Sequence, residues 1–121
     1  MNIFHLHKDP KICAEYHCDK HVVKMILETA QMLSTAYRKH CGDDDKLYKS
    51  AYPKHPMTIW VGESVENFNY AHLLGKELGK QYTKRYGKLH KSSNIINAFH
   101  NGRLQNVADR FPYQYFIFFF F

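Results

Sequence analysis

Between residues 10 and 40, apolar side chains recur at three- and four-residue steps: Ile12, Tyr16, Val23, Ile26, Leu27, Ala30, Leu33 and Tyr37. That is the period of one helical face, sustained well beyond the length of a strand. Asp9-Pro10 opens it as a capping acid followed by proline at the first helical position, and Gly42 closes it. The stretch is long for one globular helix, and the polar run at Cys18-Asp19 predicts a break there, with Asp19 capping the second segment. His55-Pro56 opens a second long helix through Trp60, Val65, Phe68, Leu74 and Leu78 to Tyr86, with Gly87 as its C-terminal stop. Ser92-Ser93 predicts a third, shorter helix from Asn94 to about His100.

The rest of the chain punctuates these helices. Residues 1–8 read as an extended N-terminal segment. Residues 42–55 carry Gly42, the run Asp43-Asp44-Asp45 and Pro53, and read as a loop with a solvated acidic turn. Residues 102–121 have no clean period and are expected to be irregular. The closing run from Phe116 to Phe121 is a docking strand or the ragged end of a truncated reading frame. There is no internal repeat and no Val/Ile-rich strand array. The expected fold is therefore all-α, one compact domain over 1–121, with two long helices plus one or two short helices.

Composition narrows the partner. The 121 residues are 45% hydrophobic and 23% charged, which excludes a disordered or collagen-like chain. A net charge of +6 together with 16% aromatics favours a polyanion, and nucleic acid is the first candidate. The three cysteines Cys13, Cys18 and Cys41, with no signal-type opening, predict a reduced, cytoplasmic protein. No apolar run approaches the ~20 residues of a bilayer span, so no membrane role is expected.

Two clusters carry candidate chemistry. Tyr16-His17-Cys18-Asp19-Lys20-His21 leads into Lys24 and Glu28. On a helix, Cys13, His17 and His21 fall on one stripe, and a His pair four residues apart can chelate a metal. The glutamate that follows the first His in zinc-protease helices is missing, and Lys24 beside the stripe would repel a cation. The same residues also read as a polar helix face. The second cluster runs from Tyr82 through Lys84, Arg85, Lys88 and His90 to Lys91. It ends at the Ser92-Ser93 helix start, where backbone N–H groups favour phosphate. Lys54 and His55 add positive charge before the second long helix. There is no Gly-rich phosphate loop, no nucleophile elbow and no calcium-loop spacing.

Taken in order, these features resemble the pyrimidine dimer DNA glycosylase (endonuclease V) family and related uncharacterised phage proteins. The opening Met1-Asn2-Ile3-Phe4-His5-Leu6-His7 is similar to the start of bacterial members. Ala14-Glu15-Tyr16 leads the first long helix as a similar triplet does in the phage enzyme. A Tyr-Lys loop with His55-Pro56 precedes the second helix, which ends in a basic-aromatic-glycine turn, Arg85-Tyr86-Gly87. His17 to Lys24 looks like a run in marine-phage proteins. The resemblance covers about residues 1–100 by element spacing.

It implies a DNA glycosylase/AP lyase that needs no cofactor. The N-terminal amine attacks the sugar of the damaged nucleotide, a carboxylate stabilises the cationic sugar, and a base is flipped out of kinked double-stranded DNA. Asn2 is bulky, so Met1 is expected to carry the amine. The family's catalytic glutamate falls at Cys18, and Asp19, the nearest acid, is expected to take its role. His17 and His21 are expected to contact phosphate or transfer protons. Lys20, Lys24, Lys54, His55, Arg85, Lys88, His90 and Lys91 are the expected DNA contacts. The protein is expected to act as a monomer in the cytoplasm, the host's if it is phage-encoded. Two other readings stand beside this one. One is a metal-dependent helical hydrolase using His17, His21 and Asp19. The other is a non-catalytic phage accessory protein that only binds nucleic acid.

Overall fold

A computed structural model describes residues 1–112 of the chain. The fold is all-α, and the described residues form six helices rather than three or four: α1 Pro10–Glu15, α2 Asp19–Cys41, α3 Pro56–Glu63, α4 Val65–Tyr86, α5 Ser93–Asn97 and α6 Gly102–Arg110. The two long ones, α2 with 23 residues and α4 with 22, pack against each other. α1 lies on α4, and α3 lies on both long helices.

The starts and stops follow from particular residues. Asp9 Oδ1 accepts from the N–H groups of Lys11 (2.8 Å) and Ile12 (3.4 Å), which caps α1. The break before α2 falls where expected, but Cys18 is its N-cap and Asp19 is its first residue. The second long helix is interrupted. Ser64 is extended (φ −149°, ψ 161°) and accepts from Asn67 N–H at 3.0 Å, so α3 ends and α4 begins around one buried hydroxyl. Gly87 stops α4 in the left-handed region (φ 71°), with its N–H on Thr83 O at 2.8 Å. α5 is shorter than the expected 94–100 helix. α6 occupies part of the stretch expected to be irregular, because Leu104 and Val107 form a short inward face. The Phe116–Phe121 run lies outside the described residues.

The core is built on Ile26, Met32 and Leu33 of α2 and Phe68, Leu74 and Leu78 of α4, all buried. Phe99 and Phe111 close it from the C-terminal side, each edge-on to Phe68 at ring-centroid distances of 5.3 and 5.2 Å. The loop after α2 is pinned by Arg38, which donates to the carbonyls of Tyr48 (2.8 Å), Asp44 (2.9 Å) and Leu47 (3.3 Å). The acidic turn is not simply solvated. Asp44 receives two bonds from Arg103, at 2.7 and 3.2 Å, and each side chain is about one fifth exposed. That fork ties α6 to the loop and holds the Asp44 carboxyl below its ordinary range, chiefly through the Arg103 hydrogen bonds.

A carboxylate with a lowered folded-state pKa stabilises the fold above its unfolded value, and the gain disappears as pH falls through the folded value. Asp44→Asn should therefore destabilise the protein at pH 7 by about 1.5–3 kcal/mol. The gap to wild type should narrow as pH falls below the ordinary carboxylate range. Urea midpoints measured across that range check both halves of the expectation.

Candidate active site and DNA interface

The N-terminal segment is strapped across α1, α2 and α4. Cys13 Sγ donates to Phe4 O (3.1 Å), and Tyr70 OH donates to His7 O (3.2 Å). The Phe4 ring stacks on His21 with centroids 4.5 Å apart and planes at 30°, and it tilts against His17 at 5.9 Å. His5 meets the edge of Tyr70. Met1, Ile3 and Phe4 pack on the core.

This strap sets the position of the first residue. The Met1 amine lies 3.3 Å from Glu28 Oε1, with the Met1 side chain 3% and the Glu28 side chain 13% exposed. Lys24 Nζ stands 4.0 Å from the other oxygen, Glu28 Oε2, which is buried and accepts no hydrogen bond within the protein. At about 100° per residue, His21, Lys24 and Glu28 share one flank of α2. A primary amine, a carboxylate and a lysine thus meet at one partly dry point. An amine there can attack an electrophilic carbon, and the carboxylate can hold the positive charge that follows.

Asp19 is not part of this group. Nine residues separate it from Glu28, about two and a half turns, so the two acids face opposite sides of α2. Its side chain is 73% exposed and pairs with Arg85 Nη1 at 3.0 Å. The carboxylate beside the Met1 amine in this structure is Glu28, and Asp19, expected there, is paired with Arg85 instead. In the sequence Glu28 stands at the end of the His17–Lys24 cluster, with no role expected of it. The available signal was its position seven residues after His21, on the same flank.

The histidines are also placed differently from expectation. His17 is buried, and its Nδ1–H donates to Cys13 O at 2.7 Å. Burial pushes its pKa below the ordinary imidazole value, with His21 and Arg85 adding to the effect, so it is neutral and shielded from phosphate. His21 is half-buried under Phe4. Among the described residues no three His, Cys, Asp or Glu side chains gather as a metal-binding group, and His17, His21 and Asp19 do not converge. This removes the basis of the hydrolase reading.

Of the expected DNA contacts, Lys20, Lys24, Lys54, Lys88 and Lys91 are exposed. Three others are committed inside the fold. Arg85 donates to His17 O (2.7 Å), Glu15 O (3.2 Å) and Gln81 Oε1 (3.2 Å) as well as to Asp19, which clamps the end of α4 to the joint between α1 and α2. His55 Nδ1 accepts from Met57 N–H (3.1 Å) as the cap of α3. His90 Nδ1 accepts from Ser92 N–H (3.0 Å), so its Nε2–H donates to Val23 O (3.1 Å), and burial keeps the ring neutral. The His90 bond brings Lys88 and Lys91 beside α2, on the Val23 side of its exposed stripe. At about 100° per residue, Lys20 and Lys24 fall between Val23 and Glu28 around the axis of α2. No helix of the described residues is long and apolar enough to cross a membrane.

The clamp gives a stability test. Arg85→Ala leaves the carbonyls of residues 15 and 17 without their charged donor and should cost about 1.5–3 kcal/mol. Asp19→Asn breaks an exposed pair and should cost no more than ~1 kcal/mol. Chemical denaturation of the two variants at one pH separates these outcomes.

The sequence model of the pyrimidine dimer DNA glycosylase family matches residues 1–91, which contain the strap, the amine, Glu28, the Arg85 clamp and the Lys88–Lys91 loop. No curated protein and no solved structure matches the chain. The match covers about three quarters of the sequence and includes both groups that meet at the start of the chain: the protein belongs to the pyrimidine dimer DNA glycosylase family.

Proposed function

We propose that this protein is a DNA glycosylase/AP lyase that acts on duplex DNA through the Met1 amine, with Glu28 rather than Asp19 as the assisting carboxylate. The observation that carries this reading is the 3.3 Å approach of the amine to Glu28 Oε1 under the N-terminal strap. In the first step the amine nitrogen, free of its extra proton, bonds to C1′ of the damaged nucleotide. The glycosidic bond breaks, and its electron pair leaves with the base. Of the amine's protons, one passes through Glu28 Oε1 to the departing base and one goes to O4′ as the C1′–O4′ bond opens, so Glu28 is again an anion when it faces the sugar iminium. In the second step a proton leaves C2′ and the C3′–O bond breaks, which is the lyase half of the reaction. Glu28 Oε2, buried and without a hydrogen bond, has the capacity to accept from or face the cationic sugar.

Binding is assigned to the exposed lysines around this point. Lys20 and Lys24 on α2 and Lys88 and Lys91 on the neighbouring loop contact backbone phosphates. Such contacts position the duplex without reading its sequence.

Glu28→Gln keeps the size of the side chain and removes the charge. It should lower turnover on dimer-containing duplex by at least ~100-fold, about 2.7 kcal/mol of barrier, while Asp19→Asn stays within a few-fold. Because the buried ammonium loses its partner in Glu28→Gln, a protein with an acetylated Met1 amine is the companion test. It should bind duplex normally and yield no borohydride-trapped adduct. Normal turnover of Glu28→Gln would remove Glu28 from the reaction.

Lys88→Ala with Lys91→Ala should weaken binding to every duplex alike and reduce the salt slope by about 2. Fluorescence-anisotropy titrations at several salt concentrations read both effects.

A further inference from the structure

On the side of α4 away from the N-terminal strap, a groove of about 450 Å³ runs along α5. Its floor lacks long side chains because α4 presents glycine there. A Cβ on Gly75 would stand 3.0 Å from Ile96 Cδ1, and one on Gly79 would stand 2.9 Å from Ser93 Oγ. Lys76, Lys80 and Lys84 line the groove at four-residue steps, spread over about 12 Å of helix axis. Ser93 and Asn97 add neutral hydrogen-bonding groups, and no acidic side chain lines it. Lys80 pairs with Glu77 at 3.2 Å, on an exposed surface where such a pair is weak. Among the described residues Lys76 and Lys84 have no acidic partner.

The groove reaches the loop that follows α4. Leu89 lines it and is 76% exposed, flanked by the exposed Lys88 and, two residues on, Lys91. The same loop is fastened to α2 by His90 on Val23 O. Positive charge therefore continues from Lys20 and Lys24, across the loop, to Lys76, Lys80 and Lys84. Cations in a row suit a chain of phosphates better than a single anion.

We propose that the groove between α4 and α5 is a second phosphate-binding site, which takes backbone of the duplex flanking the nucleotide held at Met1 and Glu28. This rests on the reading that the protein works on duplex DNA.

The test replaces Lys76, Lys80 and Lys84 together with glutamine and measures affinity on dimer-containing duplexes whose two flanks are shortened stepwise and independently. Shortening one flank should weaken wild type by roughly 10-fold or more and leave the triple variant within about 2-fold, with the variant's salt slope lower by about 2–3. Equal losses for both proteins on every flank would overturn the proposal, as would affinities identical to wild type throughout. Competition by millimolar inorganic phosphate or a mononucleotide, with no dependence on flank length, would assign the groove to a small anion and overturn it too. Borohydride trapping is run on the same duplexes. If wild type binds but gives no adduct, the glycosylase reading fails, while the flank comparison still decides the groove.

Discussion

The arrangement turns on one ion pair. The Met1 ammonium and the Glu28 carboxylate meet at 3.3 Å with little exposure, and taking two charges out of water costs several kcal/mol per ion unless they face each other well. The first residue of a chain is ordinarily its least constrained, so the pair exists only because other contacts deliver it. Cys13 and Tyr70 hold the backbone at Phe4 and His7, and the Phe4 ring rests on His21. Each comes from a different helix: α1, α4 and α2. The amine is thus positioned by the packing of three helices rather than by anything local to it, which is the preorganisation the proposed reaction needs.

The packing of those helices depends in turn on Arg85. Its guanidinium reaches the carbonyls of Glu15 and His17, at the open end of α1, and Asp19 at the start of α2. Exposed carbonyls at a helix end need donors, and one arginine serves two of them while joining α4 to the α1–α2 joint. Arg85, expected at the DNA interface, joins α4 to the α1–α2 joint within the fold. Lysines, long and solvated, keep the free charge at the surface, while the arginine with its planar fork is used inside.

The sequence was informative wherever a local rule decides. Asp9-Pro10, Cys18-Asp19, His55-Pro56 and Gly87 marked the ends of helices because caps and stops depend on a few neighbouring residues. The apolar period of α2 and α4 marked the core for the same reason. Ser64 was hidden: its neighbours continue the apolar period, and only the extended backbone at that residue turns its hydroxyl into a cap. α6 was hidden because two apolar residues, Leu104 and Val107, are too few to define a period. The contact at the amine is set on a longer scale. Asp19 is the acid nearest in sequence to the family's catalytic position, which Cys18 occupies, whereas Glu28 meets Met1 through the strap and lies a half-turn away from Asp19 on α2. Contacts between residue 1 and residue 28 are set by tertiary packing, which a motif cannot carry.

The Met1 nitrogen is proposed as the attacking atom, and Lys24, with its Nζ 4.0 Å from Glu28 Oε2, is a rival amine at the same carboxylate. Peptide mapping by mass spectrometry of the borohydride-trapped protein–DNA adduct distinguishes the two. The reduced sugar remnant should lie on the α-nitrogen of Met1, in the peptide that begins the chain. Its appearance on the side chain of Lys24, or on any other lysine with Met1 unmodified, would contradict that assignment.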